Sequence, residues 1–461
     1  MKAHRQHPRS ALVAALALTL LGGGRGSTAA PSRVPRVELR EWRLGNGLRV
    51  VFAPHRQVPG VTVQVWYHVG SKNERPGIRG MAHLFEHMMF KGSQRVPPEE
   101  HARMISALGG SDNAFTAEDM TAYHDTVPRQ DLEFAMRLEA ERMRYLHLTR
   151  FTIASEREVV KEEKRMRLDN SPIGRTLEAI RALAYTRHPY AWTPAGEIKD
   201  LDQVTVEMCR RFYDTYYRPN NATLIVVGDV DEATVRASAE RQFGPIPRGV
   251  EPPAVTAVEP PQKELRQRLA DWPSQLNVVL GAYHISAARA PDQAALKVVS
   301  ALLSAGQSSR LNQALVRKGK LAVAAGGFAQ SLEQPGLFFV YAVGLPNHDL
   351  EKMKRALLDE VARLVREEPD AKELGKVRNQ LATRAISGLR TMDGLAGEIG
   401  RSVYLHGDAR AFINEAAEID RVTGAEVKRV AGRYLTPGNL SLILLPAAGA
   451  KPAGAGTGGA R

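Results

Sequence analysis

Apolar and polar residues alternate in short runs near the start of the chain and then give way to helical spacing. Val37 to Pro54 (VELREWRLGNGLRVVFAP) alternates on either side of Asn46-Gly47, which predicts a β-hairpin. Val61 to Val69 (VTVQVWYHV) predicts a strand that runs into a loop from Gly70 to Gly77. Helical spacing follows from Gly80 to Phe90 and from Glu99 to Leu108, where Gly109-Gly110 ends it. Asn113-Ala-Phe-Thr116 and Thr121 to Val127 read as a second pair of strands, and Arg129 to Tyr145 as a helix. Ser155 to Asp169 reads as a charged helix, with Ser155 and Glu158 placed as a capping box and Asn170-Ser-Pro172 as its end.

The pattern then repeats itself. Asp202, Val204, Thr205, Arg211, Tyr216, Pro219, Asn221, Leu224 and Ile225 recur without a gap, 218 residues on, as Asp420, Val422, Thr423, Arg429, Tyr434, Pro437, Asn439, Leu442 and Ile443. Each copy reads as an amphipathic helix, a turn at Pro and Asn, and a buried strand. A duplicated unit of about 210 to 220 residues is therefore expected. Prolines 245, 247, 252, 253, 260 and 261 mark the joint. The expected organisation is residues 36–245, a Pro-rich linker 246–262, a second unit 263–446, and an Ala/Gly/Pro tail 447–461 read as disordered.

Composition changes the picture mainly at the N-terminus. Lys2, Arg5 and Arg9 precede an apolar run from Ala11 to Leu21, and small residues follow to Ala29-Ala30, so residues 1–29 read as a signal peptide. The protein is then expected to be exported, to the periplasm or outside a bacterium. No later stretch approaches 18 apolar residues, so no stable membrane insertion is expected. The net charge of +13 is carried in part by four basic residues of the leader, and no dense Lys/Arg block interleaved with aromatics exists, which argues against nucleic-acid binding. Cys209 is alone, so it forms no internal disulfide and no cysteine metal site; it is read as a space-filling helix residue.

The candidate chemistry lies in His83-Leu-Phe-Glu86-His87. On a helix, His83 and His87 stand one turn apart on one face with Glu86 beside them. Two imidazoles suit zinc, and a neighbouring carboxylate can act as a general base. A catalytic zinc site needs a third protein ligand, and the Glu-rich helix with Glu156 and Glu163, seven residues apart on one face, is the best-placed acidic source in this half. The matching helix of the second unit, Ala294 to Leu303, has neither His nor Glu, so only the first unit can hold the metal.

Gly70-Ser71, Glu74, Pro76-Gly77, Gly80, Ala82 to Gly92 and Asn113-Ala-Phe-Thr116 resemble the pitrilysin/insulinase metallopeptidases, in the short-chain branch that includes mitochondrial processing peptidase. Glu156-Arg157, Val160, Glu163, His188-Pro189-Tyr190, Tyr217-Arg-Pro219 and Gly228-Asp229 extend the match. The resemblance implies one zinc ion held by His83, His87 and Glu163, with Glu86 as general base and Glu156 supporting a ligand histidine from behind. It implies that a peptide or unfolded protein adds to the strand Asn113, Ala114, Phe115 and Thr116, and that His188 is structural. The implied fold is α+β: two homologous domains, each a mainly antiparallel sheet flanked by helices, forming a clamshell around the substrate.

Self-sufficient members carry an arginine and a tyrosine in the second half that reach over the substrate. Here Leu315 to Val323 offers Arg317 but valine at the tyrosine's place. The implied function is a zinc endopeptidase working with a homologous zinc-less subunit, or as a homodimer. The competing reading is a non-catalytic peptide-binding or assembly scaffold.

Overall fold

The asparagine and glycine of the first predicted hairpin do what their chemistry suggests. Gly47 takes φ 94, and the strands around it pair antiparallel with Arg40 opposite Phe52. In the computed structural model, residues 37–448 are described; the predicted signal peptide, and the predicted tail beyond Ala448, lie outside them. The first half runs β1 (Arg40–Arg43), β2 (Arg49–Pro54), β3 (Gly60–Tyr67), α1 (Met81–Met88), α2 (Glu100–Ala107), β4 (Ser111–Thr116), β5 (Thr121–Pro128), α3 (Leu132–Tyr145), α4 (Arg150–Lys164), α5 (Pro172–Ala184), α6 (Ile198–Leu201), α7 (Val206–Tyr216), β6 (Ala222–Gly228) and α8 (Glu232–Phe243). The second runs β7 (Arg266–Leu269), β8 (Asn277–His284), α9 (Gln293–Ser304), β9 (Ala324–Gln330), β10 (Leu337–Gly344), α10 (Leu350–Arg366), α11 (Ala371–Gly388), α12 (Met392–His406), α13 (Ala411–Arg421), α14 (Gly424–Tyr434) and β11 (Leu440–Leu445).

The sheets follow one plan, and the fold is α+β with two sheets flanked by helices. The first has the order β1-β2-β6-β3-β5-β4 and the second β7-β11-β8-β10-β9. In each, one pair is parallel, β2 with β6 and β7 with β11, and the rest are antiparallel. The residues shared by the sequence repeat have matching work. Thr205 and Thr423 cap α7 and α14 by accepting the amides of Met208 and Glu426. The Asn221 amide donates to the carbonyls of Tyr216 and His68, and that of Asn439 to those of Tyr434 and His284. Each asparagine thus fastens the end of its helix to the strand beside it.

One face of each sheet packs on its own half: α1, α3 and α7 on the first, α9, α10 and α14 on the second. The other faces are covered by exchange. Helix α12, from the second half, lays Leu395, Ile399, Val403 and Tyr404 over Trp66, Ile225 and Val227 of the first sheet. Helix α5, from the first half, lays Ile180 and Ala184 against Val278, Leu280, Phe339 and Ile443 of the second. Both faces being covered explains why β6 and β11 are buried along their whole length and apolar but for Thr223 and Ser441. Gly400 lets α12 approach: a Cβ there would lie 2.2 Å from the Trp66 ring. A polar joint adds to this. The buried Lys72 ammonium meets Asp119 at 3.0 Å and also Glu333, and the Tyr190 hydroxyl donates to Asp119 at 2.5 Å.

One boundary differs from the sequence reading. Helix α4 begins at Arg150, capped by Thr149, whose hydroxyl accepts the Thr152 amide at 3.1 Å, so Ser155 and Glu158 are interior residues rather than a capping box. The first turn was hidden because Phe151 is 83% exposed and only Ile153 faces the core there. The helix also stops short of Asp169, giving way to a wider π-type turn over Arg165–Asp169. The linker 246–262 forms no helix or strand, yet Glu259 in it accepts the amides of Thr186, Arg187 and His188. At the tail's start, Ala447 and Ala448 still donate to Asn277 and Ser274.

Candidate metal centre

Helix α1 is fixed at both its start and its inner face. Gly80 caps it at φ 94, and the buried Glu74 carboxylate accepts the amides of Gly80 at 2.9 Å and Ala82 at 2.8 Å. Burial pushes Glu74 up to about 8, and those amides at a helix N-terminus pull the other way. The inner face buries Leu84, Phe85 and Met88, with the Phe85 ring stacked on Phe212 and Tyr217. His83, Glu86 and His87 are left on the half-buried face, where α4 meets them.

Glu163 bridges the two imidazoles. Its carboxylate lies 3.4 Å from His87 Nε2 and 3.8 Å from His83 Nε2, and the three donor atoms all fall within 4.8 Å of one another. Ligand atoms around a tetrahedral zinc ion stand about 3.4 Å apart, so two nitrogens and a carboxylate oxygen in this arrangement fit that metal. Glu156, two turns before Glu163, faces His87 Nδ1 at 3.5 Å and is itself met by Lys91 Nζ at 2.9 Å. The electrostatics divide the histidines. Burial, reinforced by His87, lowers His83 to about 4, which keeps it a neutral donor. Burial also opposes charge on His87, but Glu156, Glu86 and Glu163 outweigh it and raise that imidazole. Glu156 resists protonation despite its burial because His87 and Lys91 flank it.

Glu86 lines the same cleft as this trio and is bonded to Thr116 at the end of β4. Burial raises its carboxyl, and the Thr116 hydroxyl, donating at 2.6 Å to Oε2, tempers the rise. A cleft of about 520 Å³ opens here between α1, the π-type turn after α4, β4 and Thr193–Ala195. β4 is the last strand of its sheet, so its outer backbone edge faces the cleft without a neighbouring strand. Its four predicted substrate residues divide by face. Thr116 reaches Glu86 and Ala114 packs on the α1 side, whereas Phe115 turns to the other face and meets Trp66 edge-on at 5.3 Å. The Asn113 side chain accepts the adjacent Ala114 amide.

The remaining candidates lie outside the cleft. His188 accepts the Tyr190 amide and meets Gln334 at 2.6 Å, a structural bridge between the halves. Arg317 is exposed and bonded to Gln307, and Val323 is exposed. Among the described residues a second His/acid cluster, His101, Asp125 and Glu139, is buried, but the Arg142 guanidinium already pairs with Glu139 there. Sequence reasoning missed Lys91 and Arg167. The latter pairs with Glu163 at 2.5 Å, and its position four residues on, one helical turn away, was the available signal.

Residues 49–193 match the family model for insulinase (peptidase family M16), and residues 203–381 match the peptidase M16 inactive domain. The chain is 32% identical over 406 residues to the zinc protease PqqE of Helicobacter pylori, covering 87% of this chain and 91% of the relative. It is 26% identical over 410 residues to the probable mitochondrial-processing peptidase subunit beta of Arabidopsis thaliana, covering 86% and 76%. The crystal structure of a protease from Helicobacter pylori superposes with a TM-score of 0.86 at 31% identity, covering 89% of this chain and 100% of that one. With the fold, the His/Glu cluster on α1 and α4 and these matches in agreement, the chain belongs to the insulinase family of peptidases, family M16.

Proposed function

We propose that this chain is a zinc-dependent endopeptidase that cleaves extended peptides. The observation that carries the reading is the convergence of His83, His87 and Glu163 on one point, with Glu86 left out of that trio and held by Thr116 at the end of an open strand edge. Zinc held by the trio would supply Lewis acidity toward a peptide carbonyl and make water easier to deprotonate. Glu86 takes the proton on Oε1, the oxygen that Thr116 does not occupy, and returns it to the leaving amine. The edge of β4 pairs with the peptide backbone and holds the scissile bond beside Glu86. Glu156 and Lys91 keep His87 oriented as a ligand.

The chain works as the zinc-bearing subunit beside a homologous chain. Two cores shared between its halves hold them together, which supports a chamber that closes against a second molecule. The Arabidopsis relative is, by its name, a subunit. Export rests on the pattern of residues 1–29. A scaffold without activity is the competing reading. Against it, the match to the inactive domain covers 203–381, whereas every proposed ligand and Glu86 fall within 49–193.

The decisive experiment compares metal content and peptide hydrolysis for the wild-type chain and Glu86→Gln, each alone and with a homologous zinc-less chain. Zinc retained at one per chain with hydrolysis abolished is expected; near-wild-type turnover by Glu86→Gln, or a wild-type chain that binds no zinc, overturns the reading.

A further inference from the structure

We infer that Arg167 selects substrates that carry a carboxylate side chain beside the scissile bond. This rests on the peptidase reading above and adds a preference to it. Arg167 stands in the π-type turn after α4 and lines the same cleft as His83, Glu86 and His87. Its side chain is 76% exposed, and its guanidinium lies 2.5 Å from Glu163 Oε1. Lys164, the other cation lining the cleft, is committed elsewhere: it is buried, with its ammonium 2.6 Å from Glu178 and 3.5 Å from Asp169.

The charge balance gives Arg167 its role. Glu163 is its ion-pair partner, and the same carboxylate faces both imidazoles. When Glu163 donates to a divalent cation, its charge is drawn away from the guanidinium. Two carboxylates, Glu86 and Glu163, then face a dication and Arg167, and the cleft carries surplus positive charge at its exposed guanidinium. A planar guanidinium pairs with carboxylates in a fork and repels ammonium groups. Side chains of a peptide extended along β4 alternate between its faces, so the preference falls on one position, or on alternate positions, and not on the whole peptide.

A role confined to orienting Glu163 makes a different prediction, because it would alter metal content or the rates of all peptides alike. The test is a set of peptides identical but for Asp, Glu, Gln, Lys or Arg at each position flanking the bond. They are assayed for kcat/KM with the zinc-loaded wild-type chain, Arg167→Gln and Arg167→Glu, with zinc content measured in each. Binding of the same peptides is read by fluorescence anisotropy with Glu86→Gln and with its Arg167→Glu double variant. At one position the wild type should favour acidic over basic residues by about tenfold. Arg167→Gln should flatten that preference and Arg167→Glu reverse it, at unchanged zinc content. The same ranking in wild type and Arg167→Glu, or a uniform loss for all peptides, overturns the inference. If no peptide is cleaved by any form, alone or with a homologous zinc-less chain added, the peptidase reading fails, and the binding ranking then decides the Arg167 assignment: reversal supports it, and no reversal or no binding overturns it.

Discussion

Thr116 Oγ1 donates a 2.6 Å hydrogen bond to Glu86 Oε2, tying the last residue of an edge strand to the carboxylate beside the metal trio. The strand that would receive the peptide and the group that would move the proton are therefore one mechanical unit. Thr116→Val removes the hydroxyl at nearly constant volume. We expect kcat to fall by about ten- to a hundredfold with KM and zinc content little changed, as for the loss of one positioned donor. Thr116→Ser should restore most of the rate, since it keeps the hydroxyl. Steady-state kinetics on a fluorogenic peptide checks this, and equal losses in the two variants would assign Thr116 to packing alone.

Glu156 holds His87 from behind, and Lys91 holds Glu156. Glu156→Gln keeps the shape but loses the charge that favours His87 as a fixed donor. Zinc affinity should drop by about tenfold, measured by competition with a chelator, while the circular dichroism spectrum stays unchanged.

The joint between the halves should fail in acid. Burial pushes Glu333 up, but His68 and Lys72 outweigh it and hold its carboxyl at about 2. A carboxyl depressed on folding stabilises the folded chain above its ordinary pKa, and that gain disappears as pH falls through the folded value. At pH 7, Glu333→Gln should be less stable by about 1–2 kcal/mol, a figure reduced for the side chain's partial exposure. The gap should close between about pH 4.5 and pH 2. Urea denaturation across that range decides it; a gap independent of pH would remove the ion pair from the explanation.

Gly400 sits where α12 crosses the first sheet, with no room for a Cβ against Trp66. Gly400→Ala should cost about 1–3 kcal/mol through overpacking, although alanine is the better helix former. Thermal unfolding of the full chain measures the sign: a stabilised variant would show that the helix can move off the ring.

Much of this was legible in the chain. The period-2 and period-3.6 patterns located β2 to β5, α1, α2 and α9, because each buries at least one apolar face against its own half. The repeat foretold the second sheet, and Asn221 and Asn439 show why those residues recur. The exchange of α5 and α12 was not legible, because an apolar stripe states that a face will be buried and not which element covers it. Apolar runs such as β6 hinted at two covered faces without naming the second cover. At the site, the α1 histidines announced themselves by spacing. Thr116 and Glu86 are 30 residues apart, and no local pattern could join them.

The exchanged helices also bear on how the chain tolerates being cut. Each half wears a piece of the other across an apolar interface, while the covalent tie between the halves, residues 246–262, is a proline-studded strap without helix or strand. A single break in that strap severs the polypeptide without uncovering either sheet. The two fragments would stay clasped, copurify, and keep α1 facing α4, so this protein lends itself to expression as two separate pieces that find each other, whereas either piece made alone would be left with one sheet bare.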